Sequence, residues 1–179
     1  MNHALKMIRA RGAVPENIEA PGPAGDAVRA RVGREAYELN VQQFCCAGLN
    51  FGYFYSGSRL IVDDGETPPA YSMADFTPST VPGCRLPHFF LADGSSLYDA
   101  LGSGYTLLRF DPRVDVTPLL AAARARGVPL TLLDPAARDS LPEAYRQALV
   151  VARADQHVVW RGDRLPADPG SLVERLRGA

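Results

Sequence analysis

Three short apolar stretches in the C-terminal half constrain this chain more than anything else in it. TLLRF from Thr106, VPLTLLD from Val128, and ALVVARAD with QHVVWRG from Ala148 are too short for helices and rich in branched residues, as strands buried on both faces are. Between the first two, Val114 to Arg126 carries helical periodicity and stops at Gly127, a residue suited to a left-handed helix end. A strand, a helix and a second strand in that order make a parallel pair with a right-handed crossover. ALVVARAD and QHVVWRG meet at Asp155 and Gln156 and predict an antiparallel hairpin. A short helix is predicted around Ala136 to Tyr145. A last one is predicted over Pro169 to Arg177, with Leu172, Val173 and Leu176 facing inward.

Upstream of these stretches the pattern changes. Met1 to Ala13 is helix-capable, and GAVPENIEAPGPAGD carries enough Pro, Gly and Asn to read as a linker. Asp26 can cap a helix in which Val28, Val32, Ala36 and Leu39 form one buried stripe, running to about Cys46. LNFGYFYSGSRLIV then favours extended chain with bends, and DDGETPP closes it with turns. At 179 residues there is room for one domain and an appendage, divided here into an N-terminal helical segment, 1–56, and a domain, 57–179. The element order of that domain predicts an α/β fold, a thioredoxin-like domain with a central mixed sheet, preceded by a helix and an extended segment.

Charge and composition exclude several functions. A net charge of -1 supplies no attraction to nucleic acid or to anionic lipid. The arginine groups at Arg29, Arg31 and Arg34, at Arg124 and Arg126, and at Arg175 and Arg177 are interleaved with acids and apolar residues, as on solvated helix faces. No stretch approaches the roughly 18–20 apolar residues needed to cross a bilayer, and the N-terminus lacks a secretory pattern. The 3 cysteines suit a reducing compartment, so a cytoplasmic location is expected.

Motif chemistry is equally sparse. A thioredoxin-like redox enzyme carries C-x-x-C just after its first central strand, where this chain has DPRVDVTPLL. Cys45 and Cys46 are adjacent in an apolar stretch, and Cys84 sits in PGCRLPH without an identifiable base. His3, His88 and His157 are far apart, with no acid or thiol at ligand spacing. Gly102 to Gly104 precede a strand rather than open a helix, so they are read as a turn and not as a phosphate cradle. No G-x-S-x-G elbow is present. These patterns assign no catalytic, cofactor-binding or metal residue.

One long stretch carries a resemblance. In PGCRLPHFFLADGSSLYDALGSGYTLLRF, the residues Pro82, Gly83, Arg85, Pro87 and His88, then Leu91, Asp93, Gly94, Ser96 and Asp99, then Gly102, Gly104, Tyr105, Leu107 and Leu108 follow one pattern. It is similar to the segment opening the C-terminal thioredoxin-like domain of FAD-dependent aromatic hydroxylases, the phenol, 3-(3-hydroxyphenyl)propionate and polyketide hydroxylase group. Arg153, Asp155, His157, Trp160 and Arg161 resemble that family's late hairpin, and Gly52, Tyr53, Tyr55 and Ser56 resemble its join to the flavin domain. The resemblance implies a module of an FAD- and NAD(P)H-dependent monooxygenase. The family's G-x-G-x-x-G, D-G and G-D flavin motifs have no counterpart here, so no cofactor is expected in this chain and activity alone is not expected.

The resemblance implies a non-catalytic packing and oligomerisation role, with self-association or a flavin-domain protein as partner. Such a chain is expected to leave apolar surface uncovered around Phe44, Leu49, Phe51, Tyr53 and Phe54. Physically, Pro82, Gly83 and Pro87 fix an irregular connection, Asp93-Gly94 is a strong turn, and Arg85 and His88 can dock the loop on its own domain. Two other readings stand beside this one. The chain could be a thiol-dependent oxidoreductase using Cys84 or the Cys45 and Cys46 pair. It could also be a stand-alone binding module for a small aromatic ligand or a protein.

Overall fold

The computed structural model describes residues 14–137 and 139–179, so the piece predicted over Met1 to Ala13 lies outside the described residues. The described residues form two compact units, one up to Asn50 with Ser72–Phe76, the other from Phe51–Tyr71 and from Thr77 onward.

The first unit is built on helix α1, Pro23–Phe44. It starts earlier than capping by Asp26 predicts, because Pro23 takes a first-turn position where its missing N–H is not needed. Asp26 instead accepts from Arg29 at 2.5 Å. Arg29 also donates to the carbonyls of Ile18 at 2.7 Å and Ala20 at 3.1 Å, which ties the 3-10 turn Glu16–Glu19 to the helix. The predicted stripe is shallow: Val28, Val32 and Leu39 are half-buried and Ala36 is exposed. Helix α2, Ala47–Phe51, replaces the start of the predicted extended segment. Its Leu49 N–H donates to the Met73 carbonyl at 3.1 Å, and a Cβ on Gly48 would lie 1.7 Å from the Ser72 carbonyl oxygen.

The second unit is an α/β sheet structure. Strands β1 (Tyr105–Arg109), β2 (Leu130–Leu133), β3 (Leu149–Ala152) and β4 (Val158–Gly162) lie in the order β2-β1-β3-β4. β1 and β2 are parallel, joined through helix α3, Thr117–Ala125, and β1, β3 and β4 are antiparallel neighbours. Helix α4, Pro169–Arg177, closes the chain with Leu172, Val173 and Leu176 buried, as predicted. Its N-terminus is capped by Asp168, which accepts from the Gly170 N–H, and it ends on Gly178 in the left-handed region.

Alternation along the strands divides the core between the two sheet faces. Leu107, Leu149 and Val151 meet Leu119, Ala123, Leu172, Val173 and Leu176 of α3 and α4 on one face. Leu108, Val150, Ala152 and Val158 point to the other. No α-helix covers that second face among the described residues. The helix predicted around Ala136 to Tyr145 is absent there, since Pro142 disfavours helical geometry at Leu141 and removes a donor. Leu86, Phe89 and Leu97 of the lead-in segment fill the space instead, with Tyr98 and Tyr145 beside them.

β4 stands at the sheet edge, where open backbone groups invite unwanted pairing. A bulge at Val159, with Val151 opposite Trp160 and Ala152 opposite Val158, turns the Val159 carbonyl toward the Val62 N–H at 2.9 Å. The strap around Val62 is held by Arg161, whose side chain is 1% exposed. Arg161 donates to Asp64 at 2.6 Å, to Glu66 at 2.5 Å and to Thr80 Oγ1 at 3.2 Å, while Arg146 takes the other Glu66 oxygen at 2.9 Å. Replacing Arg161 by Met removes the buried centre of this network and leaves two partly hydrated carboxylates. The expected loss is about 1–3 kcal/mol of stability in urea unfolding. An unchanged midpoint would show that the strap is held by other contacts.

Candidate functional site

The position after β1, at the start of α3, is where a strand-helix-strand unit can present an anion cradle or a reactive thiol. Here Phe110 to Val116 contains neither glycine nor cysteine. Asp115 accepts from the Thr117 N–H at 2.9 Å, and Asp111 is held down to about 2 by hydrogen bonds from Arg113. A carboxylate, Asp115, therefore occupies the helix start, which disfavours a phosphate there, and the loop before it holds the Asp111–Arg113 ion pair.

The lead-in segment is woven into the sheet edge. Gly83 N–H donates to Val158 O at 2.7 Å, Val158 N–H to Cys84 O at 2.9 Å, and Leu86 N–H to Gln156 O at 2.7 Å. Tyr55 N–H reaches Gly83 O at 3.0 Å, adding a further layer outside. Gly83 has φ 99° and a Cβ there would lie 2.3 Å from the Tyr55 carbonyl oxygen, so this position requires glycine. Pro82 and Pro87 are buried, and the Pro87 carbonyl accepts from the Tyr145 hydroxyl. Asp93 and Gly94 form the predicted turn: Gly94 has φ 85°, and Asp93 accepts from the Ser95 N–H at 2.9 Å and its hydroxyl at 2.6 Å. Those bonds, the hydroxyl's foremost, hold the Asp93 carboxyl below its ordinary range. Asp99 is exposed on the 3-10 helix Leu97–Ala100.

Arg85 and His157 face each other in an antiparallel bridge, which sets their side chains on one side of the sheet. The Arg85 guanidinium lies 5.2 Å from the Phe51 ring centroid and 5.5 Å from that of Tyr98, and donates to the Gln156 side-chain oxygen. Gln156 is a non-glycine residue at φ 68° in the hairpin turn, a conformation that costs energy and that its bond to Arg85 helps to hold. His157 is fully buried, with the rings of Tyr53 and Tyr55 at 5.1 and 4.7 Å. Its Nδ1 lies 2.9 Å from the Asp155 carbonyl, which fixes the proton on Nδ1, and its buried Nε2 has no partner. His88 packs on Phe90 and Tyr98 at 4.9 and 5.1 Å and meets Ser96 Oγ at 2.9 Å. The structure thus brings Arg85 and His88 together around Tyr98 and sets Pro82, Gly83 and Pro87 in the backbone beneath. Tyr98 and Gln156 were not among the predicted site residues: the first reads as core in the sequence, and nothing local marks the second.

The three thiols are spread between a buried and an exposed setting. Cys84 is buried, and burial pushes its pKa up despite a Ser79 hydrogen bond. Cys45 is exposed and Cys46 half-buried, and neither forms a disulfide. Of the five apolar residues expected at the surface, Phe44, Leu49, Phe51 and Tyr53 are exposed, by 42% to 74%, while Phe54 is half-buried and pairs with Cys84. No helix among the described residues is long and apolar enough to cross a membrane.

No family model matches the chain. Among curated proteins it is 28% identical to FAD-dependent monooxygenase opdD of Penicillium oxalicum, over 98% of this chain and 34% of that one. It is 27% identical to phenol 2-monooxygenase of a Pseudomonas species, over 82% of this chain and 26% of the relative. Among solved structures, RebC bound to 7-carboxy-K252c aligns at TM-score 0.77 and 33% identity, covering 98% of this chain and 34% of RebC. The flavin-dependent monooxygenase PieE shares the fold at TM-score 0.65 and 22% identity. The chain spans between a fifth and about a third of the length of the curated relatives it matches.

Burial lowers the pKa of His157 below the ordinary 6.5, outweighing the Asp155 carbonyl and carboxylate that favour the charged ring; Arg85 and Arg153 lower it further. The unfolded chain therefore takes up the proton first. The stabilisation is whole above about pH 6.5 and is lost as the pH falls below it. Urea midpoints are expected to drop from about pH 7 to 5, and His157→Asn, which keeps a donor for the Asp155 carbonyl, is expected to flatten that drop. An equal slope in the variant would assign it to other groups. For the thiols, a chromogenic disulfide reagent is expected to label Cys45 in the native protein and Cys84 only after denaturation; rapid native labelling of Cys84 would favour the thiol-enzyme reading.

Proposed function

This chain is a relative of the FAD-dependent monooxygenases, and we propose that it serves as their C-terminal accessory module, non-catalytic by itself. The observation that carries this reading is the start of α3. The place where the fold could present a dithiol or a phosphate cradle holds Asp111 and Asp115 instead. An FAD pyrophosphate at the start of α3 would meet the Asp115 carboxylate, which supports the reading together with the lack of glycine-rich flavin motifs in the sequence. The parallel β1 and β2 pair followed by an antiparallel hairpin supports a thioredoxin-like description of the second unit. The exposed Tyr37, Phe44 and Leu49 of the first unit supply the kind of apolar surface through which such a module packs on a flavin-bearing polypeptide.

Titration of the purified chain with FAD, followed by fluorescence quenching and with NAD(P)H oxidation monitored in the presence of a phenol, tests the proposal. Neither flavin binding nor NAD(P)H consumption is expected. Stoichiometric FAD binding would overturn the accessory reading and make the chain a flavoprotein in its own right.

A further inference from the structure

We propose that the cleft between the strap around Val62 and the end of α4 binds a small organic carboxylate with an apolar body, its charge held by Arg59 and Arg175. The inference does not depend on the accessory-module reading and would hold if that reading failed.

The cleft lies wholly within the second unit and has a volume of about 580 Å³. That falls within the roughly 300–1,000 Å³ of small-molecule sites. Its shape is set by backbone anchors on both sides. The chain enters at Tyr55, whose N–H donates to Gly83 O at 3.0 Å, and turns where Ile61 N–H donates to Ser58 O at 3.1 Å. It rejoins the sheet where Val62 N–H donates to Val159 O at 2.9 Å, and Arg161 then holds Asp64 and Glu66. A loop pinned at these points has little freedom to collapse into the space it encloses, so the cleft is formed before any ligand enters.

The walls set the chemistry of the occupant. Phe54, Ile61, Pro68 and Pro82 make part of the lining apolar, and they favour a body that gains by leaving water. Two guanidinium groups line the same space, Arg59 from the strap and Arg175 from the last turn of α4. Arg175 reaches back to the Ile61 carbonyl at 3.5 Å, which turns it toward the cleft. The acids in the lining are engaged by other groups: Asp63 accepts from the Gly65 N–H at 2.8 Å, and the Glu66 oxygens are taken by Arg146 and Arg161. Two cations brought by separate elements to one apolar cleft favour an oxyanion, which a guanidinium can grip through two parallel hydrogen bonds. The Asp63 carboxylate in the same lining disfavours a dianion such as phosphate, and a monoanionic carboxylate is the oxyanion that remains.

Titration of the isotope-labelled chain with benzoate, followed by amide chemical shifts, tests this. Saturable shifts are expected at Ile61, Gly65 and Arg175. Benzamide keeps the body without the charge and inorganic phosphate keeps a charge without the body; each is expected to bind about tenfold or more weakly than benzoate. Arg59→Gln and Arg175→Gln are each expected to weaken benzoate about tenfold, while Arg113→Gln, outside the lining, leaves it unchanged. Arg59 and Arg175 are exposed, so both variants are expected to keep the fold, which their own spectra report. No saturable shift at about 10 mM benzoate overturns the proposal. So does binding that benzamide or phosphate equals, that either cleft variant leaves as tight as before, that Arg113→Gln weakens as much, or that shifts only amides remote from the cleft.

Discussion

The backbone pairing of Gly83–Leu86 with the end of β4 is the contact on which the second unit depends. The hydrogen bonds Gly83 to Val158, Val158 to Cys84 and Leu86 to Gln156 close a sheet edge that would otherwise be open. They also set the direction of the segment that follows, so that Leu86, Phe89 and Leu97 reach the sheet face that no α-helix covers among the described residues. The close approach of Tyr55 depends on Gly83 lacking a Cβ. The ring contacts around Arg85 depend on the same pairing, because it brings Arg85 opposite His157. The segment rich in Pro and Gly is thus a closure of the sheet edge.

The helix start after β1 is stabilised by its own acids: Asp115 satisfies a backbone donor and Asp111 is tied to Arg113. Such carboxylates serve the helix and repel an anionic ligand. The polar groups with unspent capacity lie elsewhere, on the face around Arg85 and at the buried His157 nitrogen.

The strands, the hairpin and the two helices flanking one sheet face were legible because each is a local pattern: TLLRF, VPLTLLD and LVVA are apolar runs, and α4 has both a capping Asp and a terminal Gly. The described residues of the segment from Ala136 to Tyr145 form no helix, because Pro142 interrupts a composition that otherwise favours one and the sheet face is filled by residues from far upstream. Arg85 and His88 were singled out as docking residues, but not what they dock on. The Arg85 contact to Gln156 joins positions 71 apart, and backbone pairing at an edge leaves no periodicity in the sequence. The depth of the α1 stripe was overread for a related reason: spacing shows which residues share a face, not whether anything lies against it.

Native-state hydrogen exchange tests the central claim, that the lead-in segment is part of the folded sheet. The amides of Gly83, Leu86 and Val158 are expected to exchange only by the same global opening as those of Val150 and Val151 in β3. Fast exchange at Gly83 and Leu86 with slow exchange in β3 would contradict it, and would make this segment a mobile loop over a sheet that is stable without it.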